Sequence, residues 1–199
     1  MPVDNAKTMA DFYQQQCDAY HRRTVNIDPS SFLKPLIHHI ASGAKVIDVG
    51  CGSGRDVLWL KKHGFKVKGF ERSPGLADLA RRHAGCAVIE GDFENYDFSR
   101  MQVDAILLVG ALVHVEHGKM PAVFKNITAG LNSGGKVLLT LKKGRGTYAD
   151  ESGRRFYLWQ DQTLRKLFGE LDFEVLDFRV QPSKVNAGDT WLGYVLEKC

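Results

Sequence analysis

The stretch KVIDVGCGSGRD, residues 45–56, decides the fold. Its first five residues, Lys45–Val49, are rich in β-branched side chains and predict a buried strand. Three closely spaced glycines follow at once, and the helical pattern after them ends at Gly64. A strand that turns sharply into a helix through such glycines lets a ligand approach the backbone. The sequence therefore predicts a ligand-binding loop at the end of the first strand.

Short apolar runs alternate with amphipathic stretches along the rest of the chain. The next predicted strands are Lys66–Phe70, Ala87–Glu90, Asp104–Val109 and Lys136–Leu141. Helices are predicted from Ser73 to about Ala84, over Lys119–Leu131 and over Thr163–Glu170. This order of elements indicates a parallel sheet covered by helices on both faces.

The C-terminal part predicts a different connection. Only Gln181–Thr190 separates two predicted strands, Phe173–Val180 and Trp191–Glu197. A parallel connection needs about a dozen residues or more, so these two strands should pair antiparallel. We therefore expect a doubly wound, Rossmann-like α/β domain whose sheet has seven strands, is mostly parallel and ends in a C-terminal antiparallel hairpin.

Helical patterns precede the sheet. Lys7–Arg23 predicts one helix, and a second is predicted after Asp28 and up to about Ile40. The length suits one domain, so we expect a single domain over residues 1–199. Within it, residues 1–43 form a helical cap and residues 44–199 form the Rossmann-like core.

Composition excludes several classes of protein. Of the 199 residues, 44% are hydrophobic, which is enough for a core and argues against disorder. The net charge of +4 is too small to indicate a nucleic-acid partner by itself. The four cysteines are scattered and form no CxxC pair, which favours reduced thiols in the cytoplasm. No signal peptide or membrane-spanning apolar run is present, so we expect no membrane partner.

Acidic residues follow the strands beside the glycine loop. Glu71 lies 21 residues after Gly50, where a carboxylate can accept hydrogen bonds from both hydroxyls of a ribose. After the third strand, Asp92 can accept from an adenine amino group and Phe93 can contact the ring. A dinucleotide-binding fingerprint needs its third glycine at position 55, which is arginine here, so an NAD-dependent oxidoreductase is the weaker alternative.

The sequence resembles the class I S-adenosylmethionine-dependent methyltransferases over nearly its whole length. DVGCGSG at residues 48–54 and the order of strands with a terminal hairpin carry the resemblance. It implies that Asp48 and the glycine loop face the methionine part of S-adenosyl-L-methionine. It also implies that Glu71 holds the ribose, Arg72 flanks it, and Asp92 and Phe93 frame the adenine.

Further positions match the family in the same way. The segment Phe12–Thr24 is similar to the N-terminal lid of members that act on small molecules. The resemblance implies cofactor contacts for Tyr13, Arg23, Asp48, Gly50, Cys51, Gly52, Gly54, Asp56, Glu71, Arg72, Asp92, Phe93, Val109, Gly110 and Leu112. Two alternatives stay open: a methyltransferase acting on tRNA or another macromolecule, and a non-catalytic protein that only binds the cofactor.

His114 and Tyr20 are the candidate catalytic residues. His114 follows the fourth strand, and its neutral imidazole can take a proton near pH 7. The alternative is a histidine that orders the loop by hydrogen bonding to backbone. His114 and His117 do not indicate a metal site, because no third ligand stands out.

A basic and aromatic segment follows the fifth predicted strand. Its two parts are Lys142–Tyr148 and Arg154–Trp159. Three interpretations fit: a lid for an anionic or aromatic substrate, a nucleic-acid contact, or a β-hairpin with solvated charges. No appended RNA-binding module is recognisable, so a small-molecule acceptor is favoured over RNA. The oligomeric state cannot be read from the sequence.

Overall fold

The computed structural model describes residues 12–186 and 188–199. The helices are α1 (Cys17–Thr24), α2 (Ser30–Ile37), α3 (Arg55–Lys62), α4 (Pro74–Ala84), α5 (Met120–Ile127) and α6 (Asp161–Glu170). The strands are β1 (Lys45–Val49), β2 (Lys66–Glu71), β3 (Val88–Glu90), β4 (Val103–Val109), β5 (Leu131–Lys142), β6 (Thr147–Ala149), β7 (Arg155–Tyr157), β8 (Phe173–Pro182) and β9 (Thr190–Lys198).

The main sheet has seven strands in the order β3-β2-β1-β4-β5-β9-β8. Strands β1 to β5 pair in parallel, whereas β9 is antiparallel to both β5 and β8. The predicted fold is therefore confirmed, including the C-terminal antiparallel hairpin. Strands β6 and β7 form a separate two-stranded hairpin after β5.

Two hydrophobic clusters sandwich the sheet. Along β1, Ile47 and Val49 enter one cluster while Val46 enters the other, so this strand is buried on both faces. One cluster includes Phe124 of α5, and the other includes Leu60 of α3. This double burial explains why β1 reads as a nearly continuous apolar run.

Parallel pairing brings the functional loops to one edge of the sheet. Val49 at the end of β1 lies opposite Phe70, and Glu71 at the end of β2 lies opposite Glu90. The glycine loop, Glu71 and the segment after β4 therefore meet at the carboxyl edge. Ligands of open α/β sheets bind at this edge, where the strand order reverses.

Three predicted boundaries were wrong. Helix α5 ends at Ile127 instead of Leu131, because the Thr128 hydroxyl donates to the Phe124 carbonyl and a short 3₁₀ turn follows. Leu131 already pairs with Val103 of β4, so β5 begins at Leu131 instead of the predicted Lys136. Helix α2 ends at Ile37, three residues before the predicted end.

The predicted N-terminal helix is described only in part. Residues 7–11 of the predicted helix lie outside the described residues. Residues 12–15 are helical and a turn at Gln16 precedes α1. Helix α1 packs mainly against α4, so the N-terminal segment lies over the strand–helix unit that follows the glycine loop.

Gly54, at the start of α3, packs closely against α4. Its φ is +76°, and a Cβ there would lie 2.9 Å from the Ala80 Cα of α4. We predict that Gly54→Ala lowers the free energy of unfolding by about 1–3 kcal/mol more than Gly64→Ala does. Gly64 is the matched control because its φ is +87° and nothing lies within 4 Å of the added Cβ. Urea unfolding measures both variants, and equal losses would contradict the close packing.

Candidate functional site

The glycine loop folds back onto the end of β2. The backbone N–H groups of Gly50 and Cys51 both donate to the Phe70 carbonyl, at 2.8 and 3.1 Å. A Cβ on Gly50 would lie 2.9 Å from the Ala111 Cβ, in the segment that follows β4. The loop is thus held between β2 and the segment after β4.

Glu71 ties this loop to the start of α4. Its Oε2 accepts from the Gly52 N–H at 2.9 Å, and its Oε1 accepts from the N–H groups of Arg72 and Ser73, each at 2.9 Å. Burial raises the pKa of this carboxyl, while the three hydrogen bonds oppose the shift. A carboxylate has about four lone-pair sites, so Glu71 keeps acceptor capacity for a ligand.

A cluster of buried acids lies beside the loop. Asp48 is 2% exposed, and within the described residues its Oδ2 has no hydrogen-bond partner. Burial raises the pKa of Asp48 well above its usual range, and the charge of Asp56 adds to this shift. Arg55 pairs with Asp56 through two contacts of 2.6 and 2.9 Å. The three buried carboxylates of Asp48, Asp56 and Glu71 therefore suit a positively charged ligand group.

The candidate adenine residues follow β3. Arg72 Nη2 lies 3.4 Å from Asp92 Oδ2, which brings together two of the predicted residues. Asp92 Oδ1 also accepts from the Glu94 N–H at 3.0 Å and orders its own turn. Phe93 packs against the hydrophobic core, and its carbonyl accepts from the Asn126 side chain.

Side chains of the N-terminal segment lie over the glycine loop. A Cβ on Gly52 would be 3.2 Å from Tyr20 Cε1, so the Tyr20 ring covers the loop backbone. Burial raises the pKa of the Tyr20 hydroxyl, which is therefore neutral at physiological pH. The exposed Arg23 guanidinium lies 5.9 Å from the centroid of the Tyr20 ring.

The Tyr13 hydroxyl contacts His114 instead of the glycine loop. It lies 3.0 Å from His114 Nε2, and the other ring nitrogen, Nδ1, lies 2.5 Å from the Arg155 carbonyl. A carbonyl only accepts, so Nδ1 carries the proton and Nε2 accepts from Tyr13. Burial lowers the pKa of His114 to about 4; the hydrogen bond to Arg155 opposes this shift and the charge of Arg154 adds to it. His114 is thus a neutral hydrogen-bond acceptor that also orders the β6–β7 hairpin.

The residues that end β4 divide between the site and the core. The Gly110 N–H donates to Thr140 Oγ1 at 2.8 Å, and a Cβ on Gly110 would lie 3.4 Å from the Trp191 ring. Val109 packs against one hydrophobic cluster, whereas Leu112 is fully buried in the other.

The sequence analysis did not single out two cations whose side chains are largely buried, Lys142 and Arg154. Lys142, 3% exposed, donates to Asp189 Oδ2 at 2.6 Å and lies 4.0 Å from the centroid of the Phe156 ring. Arg154 pairs with Asp150 at 2.7 Å. The hairpin interpretation of this segment is right about β6 and β7, and Lys143, Arg145 and Arg155 are exposed as it expects, whereas Lys142 and Arg154 are paired.

The histidine pair after β4 is explained by the hairpin. His117 Nε2 lies 2.8 Å from the Leu158 carbonyl, as His114 Nδ1 lies beside that of Arg155. Both histidines therefore hold backbone of the segment that contains β7. Over residues 12–186 and 188–199, no three His, Cys, Asp or Glu side chains are grouped so that they would hold a metal ion.

A family model and two named relatives match this chain. A family model described as "Methyltransferase domain" matches residues 46–135. The chain is 32% identical over 101 residues to ubiquinone biosynthesis O-methyltransferase of Coxiella burnetii, covering 49% of this chain and 43% of that protein. It is 22% identical over 195 residues to hemagglutinin 1 of Eikenella corrodens, covering 94% of this chain and 62% of that protein. The chain thus spans less than two thirds of the length of either relative.

Comparison with solved structures shows the same fold. The structure of 1,6-didemethyltoxoflavin-N1-methyltransferase from Burkholderia thailandensis, with bound 1,6-didemethyltoxoflavin and S-adenosylhomocysteine, superposes with a TM-score of 0.80. The two chains are 22% identical, and the match covers 100% of this chain and 90% of that one. Residues 46–135 therefore match a methyltransferase domain, and the chain shares the fold of this methyltransferase.

Proposed function

We propose that the protein transfers a methyl group from S-adenosylmethionine to a small molecule. The observation that supports this cofactor best is the unpartnered Oδ2 of Asp48, buried beside Asp56 and Glu71. When bound, the cofactor supplies an electrophilic methyl group on a positively charged sulfur. The buried acids are suited to the positive charge of such a ligand.

Each candidate residue has a proposed task toward this cofactor. Asp48 and the glycine-loop backbone would hold its methionine part, and Glu71 would accept from the ribose hydroxyls. Arg72 would flank the ribose, and Asp92 and Phe93 would frame the adenine; the 3.4 Å contact between Arg72 and Asp92 supports this grouping. The remaining candidates at this edge are Gly50, Cys51, Gly52, Gly54, Asp56, Val109, Gly110 and Leu112.

The acceptor is proposed to be a small molecule on two grounds. The relatives named above include enzymes whose names specify a ubiquinone-pathway O-methylation and a toxoflavin precursor. Two cations of the basic segment are engaged within the protein, because Lys142 pairs with Asp189 and Arg154 pairs with Asp150. Paired, largely buried cations contribute little to phosphate binding.

Positioning is the proposed source of most of the rate enhancement. Methyl transfer is an in-line displacement, so orienting the acceptor and excluding water lower its barrier. Tyr20 covers the loop and Tyr13 packs against the Tyr20 ring, so both would exclude water. With its pKa of about 4, His114 is a weak base that would chiefly orient a hydroxyl or N–H donor. Tyr20 is the second candidate catalytic residue.

Domain division and location belong to the same proposal. We propose one domain over residues 1–199, with a cap at 1–43 whose Tyr13, Tyr20 and Arg23 close over the site, and a core at 44–199. We propose a cytoplasmic protein, which its free cysteines support. Among the helices of the described chain, none is both long and apolar enough to cross a membrane.

Calorimetry with S-adenosylhomocysteine tests the cofactor, and transfer of an isotope-labelled methyl group tests the reaction. We expect saturable binding with one site per chain and label transfer to a small-molecule extract. Absence of binding to a folded protein would overturn the proposal. Binding without transfer to small molecules or tRNA would instead support the non-catalytic alternative.

Asp48→Asn separates the role of the Asp48 charge in binding from its effect on stability. Losing a charge-assisted hydrogen bond should weaken S-adenosylhomocysteine binding by roughly 1.5–3 kcal/mol, about 10- to 150-fold. Asp104→Asn is the control, because Asp104 lies at the opposite edge of the sheet and accepts from the Lys45 N–H. Unchanged affinity of Asp48→Asn in calorimetry would remove Asp48 from the site.

The same variant should alter the pH dependence of stability. Asp48 has a raised pKa when folded, so the folded state holds its proton more tightly than the unfolded chain does. Its stabilising contribution is therefore complete below the usual carboxyl pKa of 3.8 and is lost as the pH rises through the raised value. At neutral pH, Asp48→Asn should unfold at a higher urea concentration than wild type. As the pH rises from acidic values, the urea midpoint of the variant should also fall less than that of wild type. A wild-type pH profile in the variant would contradict this prediction.

Glu71→Ala tests the ribose contact. The variant should lose about 1.5–3 kcal/mol of S-adenosylhomocysteine affinity, because a carboxylate that accepts charge-assisted hydrogen bonds is removed. Glu90→Ala is the matched control: it is the register partner on β3, and its side chain pairs with Arg81 at 2.7 Å. Equal affinities of the two variants, measured by calorimetry on folded protein, would exclude Glu71 from the ribose site.

A further inference from the structure

Gln14 of the N-terminal segment is hydrogen-bonded to the start of α4. Its side-chain Oε1 accepts from the Ser73 hydroxyl at 2.8 Å and from the Gly75 N–H at 3.0 Å. The first N–H groups of a helix have no acceptor within the helix, so Gln14 supplies one from a distant part of the chain. Cys17 reaches the same place, because a Cβ on Gly75 would lie only 2.8 Å from its Sγ. Two side chains of the N-terminal segment therefore dock on the first turn of α4.

The residue that donates to Gln14 is fixed by the candidate cofactor site. The Ser73 N–H donates to Glu71 Oε1 at 2.9 Å, and the other oxygen of Glu71 accepts from the Gly52 N–H of the glycine loop. The Ser73 hydroxyl also accepts from the Leu76 N–H at 3.2 Å, which makes Ser73 the N-cap of α4. The docking point of Gln14 is thus set by the carboxylate that is proposed to hold the ribose.

The backbone between Gln14 and Tyr20 is held by successive hydrogen bonds. The Gln16 N–H donates to the Phe12 carbonyl at 2.9 Å, and the Tyr20 N–H donates to the Gln16 carbonyl at 2.8 Å. Tyr20 in turn covers the glycine loop, with its Cε1 3.2 Å from the Cβ that Gly52 would carry. A movement that separates Gln14 from α4 therefore also draws Tyr20 away from the loop.

We propose that Gln14 is a positioning residue that holds Tyr20 over the glycine loop and thereby sets the rate at which S-adenosylhomocysteine leaves. The inference rests on the proposed function, because this product remains in the site after methyl transfer. The product cannot leave from beneath the Tyr20 ring until the segment moves, and that movement breaks both hydrogen bonds of Gln14. Both bonds use an accepting oxygen, so a carboxylate can replace the amide at this position, whereas a thioether accepts only weakly.

Surface plasmon resonance on the full chain measures the dissociation rate of S-adenosylhomocysteine. We expect Gln14→Met to raise this rate about three- to tenfold, since the side chain keeps its length and loses its strong acceptor. Gln14→Glu should dissociate within about twofold of the wild-type rate, because a carboxylate accepts both bonds and is favoured at the start of a helix. Gln15→Met is the matched control, because it makes the same change at an exposed neighbouring position.

Amide exchange provides a second readout that follows the segment itself. Backbone N–H groups of Cys17–Thr24 should exchange faster in Gln14→Met than in Gln15→Met, because the segment opens more often. Gln14→Glu should exchange like wild type.

Three results would overturn the role of Gln14 and leave the proposed function intact. The first is an equal dissociation rate for Gln14→Met and Gln15→Met, and the second is a Gln14→Glu variant that releases the product as fast as Gln14→Met. The third is faster amide exchange in Gln14→Met without faster release. Failure of the wild-type protein to bind S-adenosylhomocysteine would instead mean that the proposed function itself is wrong.

Discussion

The arrangement of the candidate cofactor site depends on one carboxylate that accepts hydrogen bonds from backbone. Glu71 joins the N–H of Gly52, in the loop after β1, to the N–H groups of Arg72 and Ser73, which lead into α4. Because it is buried, these bonds are strong and leaving them unmade would be costly. The turn after β1, the end of β2 and the start of α4 are therefore set in one geometry by a single side chain.

That geometry concentrates negative charge where water is excluded. Asp48, Asp56 and Glu71 are all buried beside the loop, and Arg55 pairs with Asp56 among them. Keeping carboxylates out of water destabilises the free protein, and an opposite charge offsets this cost. The same side chains thus lower the stability of the free protein and raise its affinity for a cation. The buried carboxylates lower the stability of the loop in the absence of ligand and favour the binding of a cation.

The parts of the structure that sequence predicted well depend on local contacts. The strand before the glycines follows from its β-branched run, and α4 follows from the Ser73 N-cap and from Gly85, which adopts φ +55° at its end. The candidate cofactor residues could be named from the family resemblance, and parallel pairing carries the strand ends that hold many of them to one edge. The end of α5 could not, since it depends on how Thr128 bonds Phe124 and where Leu131 meets β4.

The candidate acceptor site depends on contacts between distant segments, which a single sequence does not encode visibly. Tyr13 and His114 are 101 residues apart, and Arg154, beside the hairpin, lies 4.6 Å from the centroid of the Phe12 ring next to Tyr13. Side chains alternate between the two faces of a strand, so Arg154, just before β7, and Phe156 are expected on the same face. The alternation does not show what covers that face. The candidate cofactor site is built from backbone and carboxylates at strand ends, whereas the cluster around His114 is built from three separate segments. Substitutions can therefore change the acceptor while the cofactor loop stays the same, which is why the fold indicates the cofactor more readily than the substrate.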